Sequence, residues 1–157
     1  MRQGTRLTPA LVGALALVLA VAGLAFAQTI KGTKGDDTLT GTENADRIIG
    51  KKGDDTISGL AGNDTLLGKK GSDTVTGDED NDNADGGNGP DLVDGGTEND
   101  RLDGGDGVDT IAGGDGDDKV KSNGDGKKAD DVSCGDGEDT VKADKNDVVA
   151  DDCEDVK

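Results

Sequence analysis

The chain has 157 residues, 35 of them acidic and 17 basic, with a net charge of −18 and no histidine. Only 30% is hydrophobic and 1% aromatic, so apolar burial alone cannot offset the ordering entropy of a fold; bound cations, a disulfide or a repeated backbone ladder must supply the rest. The acidic balance excludes nucleic acid and anionic membrane surfaces as partners, and the lack of histidine excludes triads and imidazole bases, which leaves metal cations and a non-enzymatic role.

The first 27 residues stand apart. Arg2 and Arg6 open the chain, an uninterrupted small and apolar run follows from Ala10 to Ala27, and it ends Ala25-Phe26-Ala27. A positive start, an apolar run and an A-x-A ending read as a secretory signal peptide cleaved after Ala27. An uncleaved membrane anchor is the alternative, because such a run can just span a bilayer. Removing the segment takes away two arginines and no acid.

From Gly32 to Lys121 the chain divides into ten units of nine residues without an insertion. Position one is Gly in every unit: Gly32, Gly41, Gly50, Gly59, Gly68, Gly77, Gly86, Gly95, Gly104 and Gly113. Position six is always Asp: Asp37, Asp46, Asp55, Asp64, Asp73, Asp82, Asp91, Asp100, Asp109 and Asp118. Position eight is always apolar: Leu39, Ile48, Ile57, Leu66, Val75, Ala84, Val93, Leu102, Ile111 and Val120. Position four is Gly except at Asn44, Asp80 and Glu98.

Glycines at positions one and four are expected to take positive φ in a turn. Positions seven to nine then form a short strand, with residue eight inward. Two units make one coil, so each residue stacks on the one 18 further on, about 4.8 Å away. The aspartates form two edge rows, which would repel without counterions. Ca²⁺ is a hard cation that takes six to eight oxygens from carboxylates and carbonyls. Five turns per edge leave four gaps each, so roughly eight ions can be held.

The pattern resembles the RTX (repeats-in-toxin) nonapeptide Gly-Gly-x-Gly-x-Asp-x-apolar-x. The resemblance implies an all-β fold, a right-handed parallel β-roll with Ca²⁺ in its turns. It implies side-chain ligation by the ten position-six aspartates, with the turn backbone at Gly32, Gly50, Gly86, Gly95, Gly104 and Gly113. The chain departs from the pattern at position two, where glycine occurs only as Gly87, Gly96, Gly105 and Gly114. Sites touching the unit 77–85, and those near Glu98, are expected to be weaker or rearranged.

The nine-residue register breaks at Ser122. Asp130, Asp139 and Asp147 with Val132, Val141 and Val149 still echo it. Residues 122–157 are expected to be degenerate coils that cap the roll, since a solenoid end otherwise leaves open strands. The domains are thus a signal peptide (1–27), a calcium-binding β-roll (28–121, repeats 32–121) and a cap (122–157). Cys134 and Cys153 lie about one coil apart, within reach of a disulfide that export to an oxidising space favours.

The functional expectation is a secreted calcium-binding protein. It stays extended in the low calcium of the cytosol and folds outside the cell, where calcium modules bind at about 10⁻⁴ to 10⁻³ M. Two other readings stay open. Thr38/Thr40, Thr56/Ser58 and Thr74/Thr76 would stack into an outward hydroxyl array, similar to those of ice-binding β-solenoids, before the row breaks at Leu92/Asp94. That suits an extracellular structural or surface-interaction solenoid, with a cell-surface or matrix partner that the residues do not identify. A disordered acidic polyelectrolyte is the other, though an unfolded chain has no use for a strict apolar eighth position.

Overall fold

The computed structural model describes residues 26–124 and 128–157. The signal segment therefore lies, but for its last two residues, outside the described part. Fifteen strands follow in order: β1 (Thr29–Lys31), β2 (Thr38–Thr40), β3 (Arg47–Ile49), β4 (Thr56–Leu60), β5 (Thr65–Lys70), β6 (Thr74–Asp78), β7 (Asn83–Asn88), β8 (Leu92–Thr97), β9 (Arg101–Asp106), β10 (Thr110–Asp115), β11 (Lys119–Lys121), β12 (Asp131–Asp136), β13 (Thr140–Lys142), β14 (Val148–Val149) and β15 (Asp155–Val156). There is no helix among the described residues.

The odd strands form one eight-stranded sheet and the even strands a seven-stranded one. Every pairing is parallel, between strands two apart in sequence, so the chain winds as a β-solenoid and is a parallel β-roll. The apolar eighth positions meet in register, Leu39 on Ile57 on Val75 on Val93 in one sheet and Ile48 on Leu66 on Ala84 on Leu102 in the other. They merge into one thin core of buried side chains between the sheets. The ladder starts before the first repeat, with Ile30 paired to Ile48.

Positive φ falls at position four, as expected, but at position two rather than at position one. Position-one glycines are not left-handed, while position two is from Lys51 onward and position four is in all units but those of Gly35, Asn44 and Gly107. What position one requires is space. A Cβ on Gly68 would stand 2.5 Å from Asp73 Oδ2 and 2.5 Å from the Gly86 carbonyl of the next coil. An extended position one also prolongs the strand: the Gly50 N–H donates to the Leu67 carbonyl (2.9 Å), and β4 to β10 run to five or six residues rather than three. At position two, Lys51, Leu60, Lys69 and Asp78 carry φ of 82–94°, a conformation that costs a side chain on the order of 1 kcal/mol.

The backbone of the unit 77–85 keeps the coil. Asp80 and Glu98 adopt φ of 74° and 69° where other units have glycine, and Ala84 is buried in β7. The hydroxyl row is in register as expected, Thr38 on Thr56 on Thr74, and gives way to exposed Leu92.

Beyond Ser122 the coils continue with altered spacing. The step from Asp109 to Asp130 and from Asp118 to Asp139 is 21 residues instead of 18, so the extra residues are taken up between β11 and β12 and both sheets resume in phase. The last coil is tighter, with steps of 17 and 15. Cys134 occupies a position-one site in β12, fully buried, and is joined to Cys153 with Cα atoms 5.2 Å apart.

Two outcomes are expected. Ile57→Ala should lower stability in saturating calcium by about 2–5 kcal/mol, read from the urea midpoint, whereas Thr56→Ala beside it should change it by less than about 0.5 kcal/mol. Replacing both cysteines with serine should cost on the order of 3 kcal/mol. Amide exchange should then rise first in β12 to β15 and leave β4 to β10 protected.

Candidate metal centre

Each position-six aspartate follows a glycine turn and opens a strand, so its carboxylate folds back under the turn. From Asp46 to Asp139 these side chains are buried, at 1–4% exposure. One carboxylate oxygen ties coil to coil. Asp55 Oδ1 accepts from the Asp37 N–H (2.8 Å), Asp73 Oδ1 from Asp55 (2.8 Å) and Asp91 Oδ1 from Asp73 (2.8 Å). On the other edge Asp82 accepts from Asp64 (2.7 Å), Asp100 from Asp82 (2.7 Å) and Asp118 from Asp100 (2.8 Å).

The other oxygen is different. Oδ2 of Asp55, Asp64, Asp73, Asp82, Asp91, Asp100, Asp118 and Asp139 is buried without a hydrogen-bond donor. The ion pairs among the described residues, Lys69–Asp85, Lys121–Asp103 and Lys157–Asp155, engage other acids. Beside nine of the ten position-one glycines, Gly104 excepted, a backbone carbonyl from the next coil joins the aspartate Oδ2. Asp91 Oδ2 and the Gly104 carbonyl lie 2.7 Å from the same point next to Gly86. Buried polar oxygens left without donors are costly and call for a partner. A carboxylate converging with a carbonyl, with no nitrogen or thiolate, suits a hard cation such as Ca²⁺. Cys134, Asp152 and Cys153 cluster too, but the two sulfurs are bonded to each other.

Burial is the main cause of the acids' shifted pKa values. It pushes Asp55, Asp64 and Asp118 up to about 6, and Asp82, Asp91 and Asp100 up to about 7; Asp73 and Asp139 also move upward. The backbone N–H from the neighbouring coil opposes the rise, and stacked aspartates add to it: Asp109 and Asp73 on Asp91, Asp118 and Asp82 on Asp100.

The sequence profile of the RTX calcium-binding nonapeptide repeat (4 copies) matches residues 23–57, 40–75, 50–84, 58–93 and 85–120. The chain belongs to this RTX repeat family. A search of the curated proteins returns no match. RTX repeats support a calcium-binding function, with calcium ions as the partner.

Against that family pattern the expected site residues divide. The rows hold all ten position-six aspartates, but Oδ2 of Asp37 and of Asp46 accepts from the chain's own Thr33 and Thr42. Of the expected backbone groups, the carbonyls of Gly50, Gly86, Gly95, Gly104 and Gly113 face the preceding coil's glycine, whereas that of Gly32 is taken by the Lys51 ammonium. Asp130 and Asp139 stand in the same rows, accepting from Asp109 (2.8 Å) and Asp118 (2.8 Å), beyond both the ten repeats and the matched residues. Their paired Val132 and Val141 are the signal in the sequence that could have placed them.

The pKa shifts set a pH dependence for the calcium-free roll. These folded-state values lie above the unfolded 3.8, so between about pH 4 and pH 7 the folded chain binds more protons and loses stability as pH rises. In chelator, far-UV circular dichroism should show β-structure gained on going from about pH 7.5 to about pH 4.5, and calcium affinity should weaken over the same range as protons compete. A chelated chain with flat β content across that window would contradict the buried setting of the rows.

Proposed function

We propose that this is a secreted calcium-binding protein whose roll forms on binding Ca²⁺ outside the cytosol. The observation that carries the reading is the buried Oδ2 without a donor on Asp55, Asp64, Asp73, Asp82, Asp91, Asp100, Asp118 and Asp139, the first six each beside a glycine carbonyl of the next coil and that of Asp118 beside the Cys134 carbonyl. Asp55, Asp64, Asp73, Asp82, Asp91, Asp100, Asp109 and Asp118 would hold the ions through side chains, and Gly50, Gly86, Gly95, Gly104 and Gly113 through the backbone. Asp130 and Asp139 extend the set. Calcium bound there would neutralise the rows and complete the coordination of the stranded oxygens.

The residues account for the switch. Without a cation, folding buries stacked carboxylates that are ionised at neutral pH in the open chain, and the thin core of position-eight side chains cannot offset that penalty. An ion bound only by the folded state stabilises that state in proportion to the logarithm of its concentration. The A-x-A ending at Ala27 supports export through a cleaved signal peptide (1–27), ahead of a roll (28–121) and its terminal coils (122–157). The recurring carboxylates are engaged in the ladder, and the protein is read as binding rather than catalytic.

Far-UV circular dichroism of residues 28–157, titrated with CaCl₂ and with MgCl₂ as control, tests the proposal. A cooperative coil-to-β transition with Ca²⁺ and not Mg²⁺ is expected, because Mg²⁺ demands a smaller octahedral site and sheds water reluctantly. A chain that remains coil at about 10 mM Ca²⁺, ten times the weakest affinities of extracellular modules, would overturn it.

A further inference from the structure

The aspartate rows do not end as they run. In the middle of the roll position two has positive φ, and its N–H points to the next coil, as Lys51 N–H does to the Gly68 carbonyl (3.0 Å). That leaves Oδ2 of the unit's own aspartate without a donor, as at Asp55 and Asp64. The first two repeats instead carry threonine at position two, and neither Thr33 nor Thr42 is left-handed. Their N–H groups turn inward. Asp37 Oδ2 accepts from Thr33 N–H (2.5 Å) and Thr33 Oγ1 (3.0 Å). Asp46 Oδ2 accepts from Thr42 N–H (2.7 Å) and Thr42 Oγ1 (2.9 Å). The Lys51 ammonium covers the Gly32 carbonyl on the same end.

The C-terminal end repeats the device with other residues. Asp147 continues one row, with Oδ1 accepting from the Asp130 N–H (3.1 Å). Its Oδ2 accepts from Ser122 Oγ (2.9 Å) and Asp144 N–H (2.6 Å). Ser122 stands where inner repeats have the position-one glycine, and its hydroxyl donates to the aspartate of the following coil, a side-chain donor that a glycine cannot supply.

We infer that the chain closes its own cation ladder at the start of both rows and at the end of one: at Asp37, Asp46 and Asp147 protein donors take the place of the metal, and the ion-binding stretch runs from Asp55 to Asp139. This rests on the reading of the rows as calcium ligands. Position two is the selector. A residue that accepts positive φ leaves the carboxylate to a cation, and a threonine with negative φ hydrogen-bonds it. A β-branched side chain is poorly suited to the left-handed region, which is the physical reason the choice is binary.

The test is calcium content at saturation, by equilibrium dialysis and elemental analysis, on the purified chain with its disulfide formed. Asp46→Asn and Asp64→Asn are the matched pair, adjacent rungs of one edge. Asp46→Asn should bind as many ions as wild type, and Asp64→Asn at least one fewer. Loss of an ion from Asp46→Asn equal to that from Asp64→Asn would overturn the inference. A wild-type chain that binds no calcium would instead overturn the calcium reading beneath it. Should Asp46→Asn not fold, as judged by circular dichroism in calcium, Thr42→Val decides. It should keep the full calcium content and lower the thermal midpoint by roughly 2–6 °C through loss of the hydroxyl donor; a lost ion or an unmoved midpoint would overturn the inference.

Discussion

The rest of the structure depends on the two unlike oxygens of one aspartate. Oδ1 accepts the N–H of the aligned aspartate one coil below, which pins the start of every strand to the coil beneath. Oδ2 is carried into the interior by that same hydrogen bond and meets a glycine carbonyl there instead of a donor. The first oxygen sets the register of both sheets. The second makes the register conditional, because a fold that buries so many bare oxygens is stable only when they are protonated or matched by a cation.

The glycine at position one is the partner of this arrangement. It sits where carboxylate and carbonyl converge, and a Cβ there would fill the space into which both point. The same reasoning explains where the glycine can be given up. Ser122 and Cys134 occupy position-one sites only in the terminal coils, and each uses its side chain to tie down the end: Ser122 through Asp147, Cys134 through Cys153. Asp37, Asp46 and Asp147 are thus bonded internally, while Oδ2 of Asp55, Asp64, Asp73, Asp82, Asp91, Asp100, Asp118 and Asp139 meets no donor. Solenoid ends need capping to keep strands from pairing with other chains, and here the caps also terminate the charge ladder.

Little apolar surface is involved. One inward side chain per nine residues, from Leu39 to Val141, forms a core one residue thick between the sheets. Ala84 and the left-handed Asp80 and Glu98 are tolerated because backbone pairing above and below over-determines the coil. Local preference is overridden there by the ladder, which is the usual fate of propensity in a repeated structure.

Much of this was legible from the residues alone. The two edge rows, the inward apolar position and the pairing of Cys134 with Cys153 follow from a period of nine and residue type, and the parallel roll from the resemblance to the RTX repeat. The conformation of each turn residue does not follow, because glycine is compatible both with positive φ and with a site that has no room for a Cβ. The tertiary structure decided that position one is the crowded site and that position two, not position one, joins position four in the left-handed region. It also decided that Asp130 and Asp139 stay in the rows after the register breaks, since an insertion between β11 and β12 shifts both sheets together. And it separated Asp37 and Asp46 from their identical neighbours. Sequence period makes every repeat equivalent, but the donor that reaches a carboxylate depends on which way the preceding amide turns, and only the folded backbone fixes that.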